Sequence, residues 1–137
     1  MSETIFAKII RGEIPCHAVY EDEHVLSFLD VNPLSRGHTL VIPKQPAVTL
    51  DQVSDDAALA LGRALVHVAR AVVRATGATD YNVLQNNGRA AHQAVMHVHF
   101  HIIPKYADGG GLGIEWEPHK LDPDDGKALA AAIHDQL

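Results

Sequence analysis

The stretch His97-Val98-His99-Phe100-His101-Ile102-Ile103 (HVHFHII, residues 97–103) decides both a local structure and a chemistry. Successive side chains of a strand point to opposite faces, so His97, His99 and His101 share one face. Val98, Phe100 and Ile102 take the other, which is wholly apolar and reads as turned to the core. Two strand rises put neighbouring histidines about 7 Å apart. Proline lacks a ladder donor, so Pro104 is read as the end of this strand.

Three uses of such a row compete. A plain solvated face gives no reason for histidine at three alternate positions, where Thr, Lys or Glu would serve. Imidazoles two apart on a strand can share a zinc ion. Alternatively, a neutral imidazole attacks phosphorus while a neighbouring imidazolium protonates the leaving group. The strand alone leaves the last two open. Upstream, Asn86–Gln93 (NNGRAAHQ) reads as a polar loop offering amides and backbone N–H groups, which suit phosphate and are weak metal ligands. No Asp or Glu lies between Asp80 and Asp108, so a hydrolytic zinc would lack a nearby carboxylate base. The balance moves toward phosphate.

Outward from this strand the chain alternates short strands with capped helices. Residues 4–11 place Ile5, Phe6, Ile9 and Ile10 at helical spacing before Gly12. Val19–Asp30 reads as two short strands around a Glu21-Asp22-Glu23 turn, and His38–Ile42 as a third, closed by Pro43. Ser54 caps the longest helix, whose face is Ala57, Leu61, Ala64, Leu65, Val68, Val72 and Val73, and Gly77 ends it. Tyr81–Gln85 is a fourth strand. Asp122 and Pro123 open a last helix lined by Leu129, Ala132, Ile133 and Leu137. Only the link between the third and fourth strands is long enough for a crossover. The expectation is an α+β fold with a mostly antiparallel five-stranded sheet.

With 137 residues and no repeat or linker, the chain reads as a single domain over 1–137, with a core of about 4–105 and a C-terminal extension of about 106–137. A net charge of -6 without Lys/Arg clusters argues against gripping a nucleic-acid backbone. No apolar run approaches the roughly 20 residues a membrane helix needs, and MSETIFAKIIRGEIP does not read as a secretory signal. The single cysteine, Cys16, excludes an internal disulfide and suits a reducing cytoplasm. Gly109–Gly111 is no phosphate loop, since no Gly-Lys-Ser/Thr follows.

Taken together, the His-φ-His-φ-His-φ-φ strand (φ hydrophobic), TIFAKIIRGEIP at 4–15, VYEDE at 19–23, FLDVNP at 28–33, GHTLVIPK at 37–44 and the loop at 86–93 resemble, in that order, the histidine-triad (HIT) family. The likeness is to the branch of histidine-triad nucleotide-binding proteins related to protein kinase C-interacting protein, over about residues 4–105. It implies a HIT-like fold and a purine nucleotide-binding hydrolase that cleaves nucleoside phosphoramidates through a covalent nucleotidyl-histidine. His99 would be the nucleophile, His101 the residue at the leaving group, and His97 their support. His38 would pack against the triad, and Asp30 would hold the ribose hydroxyls. Phe28, Leu29 and Val31 would line the base pocket, Asn86 would touch sugar or phosphate, and Gln93 and Ala94 the phosphate. The resemblance further implies a homodimer, whose interface would draw on the long helix or the tail, and chemistry with no cofactor and no metal. Other readings are a diadenosine polyphosphate hydrolase, a nucleotide-binding adaptor and a metallohydrolase.

This sequence departs from the family in several places. His92 stands where many members carry Gly, and Ala94 where they carry a hydroxyl or acid. Thr4 and Ala7 replace the Cys-x-x-Cys zinc pair of some bacterial relatives. The tail lacks the Trp-Pro-Pro-Gly ending of animal relatives, and Trp116 reads as an interface or packing residue. Crowded imidazoles depress one another's pKa, so the rate is expected to fall in acid, below a pH of about 6.

Overall fold

The computed structural model describes residues 3–137. Met1 and Ser2, the start of the stretch read above as lacking a secretory signal, lie outside them. Thr4 caps the first helix, α1 (Ile5–Ile10), by accepting a hydrogen bond from the Ala7 N–H at 3.1 Å. Strands β1 (Ala18–Glu21) and β2 (Val25–Leu29) form a hairpin whose turn is closed by Asp22, a carboxylate oxygen of which accepts from the His24 and Val25 N–H groups. Strand β3 (Thr39–Pro43) leads to α2 (Asp55–Thr76), capped by Ser54 and ended by Gly77 at φ 73°. Strands β4 (Asp80–Gln85) and β5 (Phe100–Lys105) follow, and α3 (Pro123–His134) closes the chain.

The sheet order is β1-β2-β3-β5-β4, antiparallel throughout. Helix α2 carries the chain from β3 past the position of β5, which then returns to fill the gap. The two faces separate by strand alternation. Val25, Val41 and Ile102 pack beneath Leu61, Ala64, Val68 and Val72 of α2. The opposite face holds Leu26, Phe28, Leu40 and Ile42 under Phe6 of α1, and the histidines beside them. The α2 face includes buried Ala69, while Leu65 and Val73 sit at its border.

Three expectations change. First, the regular strand begins at Phe100, not His97, because β4 and β3 supply their last partners there, in Gln85↔Phe100 and Val41↔Phe100. Upstream the backbone finds loop partners instead, and the Val98 N–H donates to the Ala47 carbonyl at 2.8 Å. Second, Pro104 lies inside β5. Pairing to β3 has ended at Thr39↔Ile102, and the Pro104 carbonyl accepts from Ser35 Oγ at 2.6 Å, so its missing donor interrupts no ladder. Pro43 likewise belongs to β3. Third, α3 has the expected cap and first-turn proline, yet none of its residues is buried; Leu129, Ile133 and the terminal Leu137 are all exposed.

Candidate active site

The site is built where β3, β5 and the loop 30–38 meet. That loop is tied down at several points. The Asp30 N–H donates to the His38 carbonyl at 2.9 Å, and the Asn32 N–H donates to Asp30 Oδ1 at 2.8 Å. Tyr106 Oη donates to the Arg36 carbonyl at 2.6 Å. Gly37 adopts φ 93°, and a Cβ there would stand 2.6 Å from Thr76 Cγ2, so this close approach to the end of α2 requires glycine.

The imidazoles form a continuous row rather than a widely spaced set. Ring centroids lie 4.9 Å apart for His99 and His101 and 5.1 Å apart for His101 and His38. The rings thus approach more closely than the ~7 Å of ideal strand rises, and those of His97 and His99, outside the regular strand, are fixed by backbone carbonyls. His97 Nε2 donates to the Pro43 carbonyl at 2.8 Å, and His99 Nδ1 donates to the His97 carbonyl at 2.7 Å. A carbonyl only accepts, so both protons are assigned. His99 therefore carries its free lone pair on Nε2. That nitrogen makes no hydrogen bond, and no buried side-chain polar atom among the described residues lacks a partner, so Nε2 is open to solvent.

On the other side of His101, its Nδ1 meets His38 Nε2 at 2.9 Å, and Asp30 Oδ2 lies 3.5 Å from the same His38 nitrogen. Donor atoms of Asp30, His38 and His101 all lie within 4.8 Å of one another, a spacing that three metal ligands could have. Their protonation does not suit a metal. The Leu34 N–H donates to His38 Nδ1 at 3.0 Å, which leaves the His38 proton on Nε2, the nitrogen a metal would need.

Burial pushes all four imidazoles below the ordinary histidine pKa. For His38 desolvation dominates, opposed by the Asp30 charge. Desolvation also leads for His97 and His99, opposed by their bonds to carbonyls. His101 is lowered to about 4 by burial and by the proximity of His99 and His38. All four shifts run in the same direction, toward the uncharged imidazole.

A cavity of about 730 Å³ opens beside the row, lined by Asp30, His38, Asn86, His92 and His101, with the tail contributing Trp116. Trp116 is 81% exposed at this mouth. His92 is the only non-glycine with a left-handed φ (71°) among the described residues. Such an arrangement offers a nucleophilic nitrogen at the open side of an otherwise buried ring, a row of N–H donors, and a carboxylate two strands away.

A model of the HIT domain matches residues 11–108. The chain belongs to the HIT family. It is 44% identical to an adenosine 5′-monophosphoramidase of Schizosaccharomyces pombe over 97% of both chains. It is 45% identical to an adenylylsulfatase of Arabidopsis thaliana, across 76% of this chain and 53% of that one. A crystal structure of a HIT family member from Bacillus subtilis superposes with a TM-score of 0.94, at 41% identity and over 99% of this chain and 98% of that one.

Within this HIT site the residues read from the sequence divide. The structure brings together His97, His99, His101, His38 and Asp30, and adds Asn86 across the cavity, whose Nδ2 makes a long 3.5 Å contact to the His92 carbonyl. Strand alternation turns Leu29 to the opposite, α2 side of the sheet, away from the histidines. Phe28 lies on the histidine side but is buried against Phe6, with ring centroids 5.6 Å apart; Val31 is exposed beside Asp30. Gln93 is buried and braces the loop. It accepts from the Gly88 N–H and donates to the carbonyls of Val48 and Val95, leaving no side-chain group free for phosphate. Ala94 is exposed. His92 joins the site as a fifth imidazole.

Sequence reasoning missed two participants. Phe6 stands edge-on to His99 at 5.1 Å, a contact hidden because Phe6 reads simply as the apolar face of α1. The Leu34 N–H is a backbone group and has no signature in residue identity.

Proposed function

We propose that this chain is a nucleoside phosphoramidase, cleaving adenosine 5′-phosphoramidate-type substrates to the nucleoside monophosphate through a covalent nucleotidyl-histidine on His99. The observation that carries the reading is the fixed tautomer of His99: its Nδ1–H is held by the His97 carbonyl, leaving Nε2 as an uncharged nucleophile. The activity of the fission-yeast relative, 44% identical along nearly its whole length, points the same way and does not favour the diadenosine polyphosphate or adaptor readings.

In this mechanism His99 Nε2 attacks the α-phosphorus as the P–N bond breaks. The positive charge that develops on the ring is stabilised by the His97 carbonyl at Nδ1. The substrate nitrogen takes a proton from solvent before it leaves, so it departs as the neutral amine, and its developing lone pair accepts a hydrogen bond from His101. Water then splits the nucleotidyl-histidine and returns a proton to solvent, which balances the one taken up. Asp30 accepts from the ribose hydroxyls. Val31, exposed beside Asp30, is the apolar support for a purine. Asn86 and the backbone near Ala94 meet sugar or phosphate. The nucleophile and donors being imidazoles, no metal or cofactor enters the chemistry.

The chain is further proposed to be a cytoplasmic homodimer. Free Cys16 suits a reducing compartment. Among the described residues, edge strand β4 has no strand neighbour on its outer side, and beside it Val66, Tyr81 and Val83 leave an apolar groove against α2. Light scattering on the eluted protein at micromolar concentration tests this, and a monomer mass would refute it.

AMP release from adenosine 5′-phosphoramidate in excess chelator, compared between the native chain and His99→Gly, tests the reaction. Release by the native chain alone is expected. Activity restored only by added zinc would overturn the reading.

A further inference from the structure

Backbone and surroundings both single out His92. It is exposed, and it holds φ 71°, ψ 21° as the residue that ends the short turn Arg89–Ala91. The left-handed region disfavours any residue with a Cβ, and such strain persists only where the neighbours fix it. Here they do. The His92 N–H donates to the Arg89 carbonyl at 3.0 Å, and the Gln93 N–H donates to the Gly88 carbonyl at 3.0 Å. The buried Gln93 amide adds three bonds of its own. The turn is thus held on both sides of His92, whose imidazole lines the cavity together with His101 and Trp116.

Of the three imidazoles in the cavity wall, only His92 has both ring nitrogens without a partner among the described residues; His38 uses two and His101 one. Burial also holds His38 and His101 toward the uncharged form. Among the described residues no Lys or Arg lines the cavity, its one carboxylate is Asp30, and Arg89 of the same turn is not part of the wall. A negatively charged group entering beside His101 therefore meets Asp30 with no fixed cation to offset it. An imidazole can meet an anion through either N–H and can become cationic against it. We propose that His92 is a specificity-determining residue: it binds an anionic oxygen group on the leaving side of the substrate, so that the preferred phosphoramidates are those of amines bearing a carboxylate. The amine rests on the phosphoramidase reading, whereas the anion rests on the wall of the cavity alone.

Binding without turnover tests the anion first. Calorimetric titration of the full chain compares AMP with α,β-methylene-ADP, which adds one anionic phosphonate through a P–C bond that water does not cleave. His92→Asn is expected to lower the preference for the analogue over AMP about tenfold, the weight of one hydrogen bond to a charged group. His92→Gly should lower it equally, and both residues tolerate a left-handed φ, so the turn is kept. An unchanged preference in both variants, with the fold intact by circular dichroism, would overturn the proposal whether or not the chain is a phosphoramidase. Equal weakening toward AMP and its analogue would put His92 on the α-phosphate and overturn it as well. The amine is then read from turnover of the adenosine 5′-phosphoramidates of β-alanine and of β-alaninamide. Their ratio of kcat/KM should fall about tenfold in His92→Asn, the same single hydrogen bond, while amine basicity is common to both proteins and cancels. A ratio that stays put while the binding preference falls would place the anion on a phosphate chain and sink the amine assignment. Turnover of neither compound by the native chain, with the binding preference as expected, would refute the phosphoramidase reading and uphold the anion site.

Discussion

On the face of the sheet beneath α2, Val25, Val41 and Ile102 are held by shape alone, each wholly enclosed by apolar neighbours. On the opposite face, His38 and His99, just beyond the ends of β3 and β5, are nearly as enclosed and His101 of β5 is half-buried, yet all three are held by directed bonds. Packing tolerates small rearrangements, because dispersion contacts have no preferred direction. A proton shared with a named carbonyl does not. The lesson is that this fold spends one face on stability and the other on assigning protons, and that the second task needs irregular backbone. Only outside the regular ladder, upstream of Phe100, is the His97 carbonyl free to meet the ring two residues on.

The widest separation between the faces is expected from a pair of substitutions. His99→Gly should lower turnover by about 10⁴-fold or more while the chain remains folded. Ile102→Ala should leave kcat per folded molecule within a few-fold but cost about 2–5 kcal/mol in urea unfolding. Reversed outcomes would mean the two faces are not functionally distinct.

Acid should separate them next. The row's folded pKa values lie below those of the unfolded chain, so between the two the unfolded state binds more protons. Stability is then full above about pH 6.5 and declines as pH falls toward the folded values. His101 alone, lowered to about 4, corresponds to about 3 kcal/mol of this loss. The same shifts move the acid limb of the rate below the ordinary histidine range. Denaturant midpoints and kcat/KM measured from pH 8 to pH 4 check both; a midpoint independent of pH would contradict burial of neutral imidazoles.

The smallest effect belongs to neither face. Replacing Leu129 and Ile133 of α3 together by Ser should change monomer stability by less than about 0.5 kcal/mol, since neither is buried. A larger loss on unfolding at high protein concentration would reveal that α3 is covered in solution.

Much of this was legible in the sequence wherever the signal is local. Ser54, Gly77, Asp122 and Pro123 mark helix ends through their own side chains and backbone preferences, and the helices start and stop there. The histidine spacing placed His97, His99 and His101 together, with His38 and Asp30 added by family resemblance. What failed depends on partners distant in the chain. The start of β5 is set by where β3 and β4 run out, and Leu29 was misplaced because its face is fixed by register with β3, at Leu29↔Thr39. Gln93 looks like a phosphate ligand by type, but Gly88, Val48 and Val95 consume its amide. Nothing in the apolar spacing of α3 tells whether anything lies against it.

Trp116 gives the molecule an optical handle. It is the sole tryptophan of the chain, and it stands at the mouth of the cavity, largely in water. Intrinsic emission excited in the indole band therefore comes from one address, a few side chains from His92 and His101. A nucleotide entering beside it would change the polarity around a single fluorophore, so occupancy could be titrated on the native chain without label, coupling enzyme or turnover.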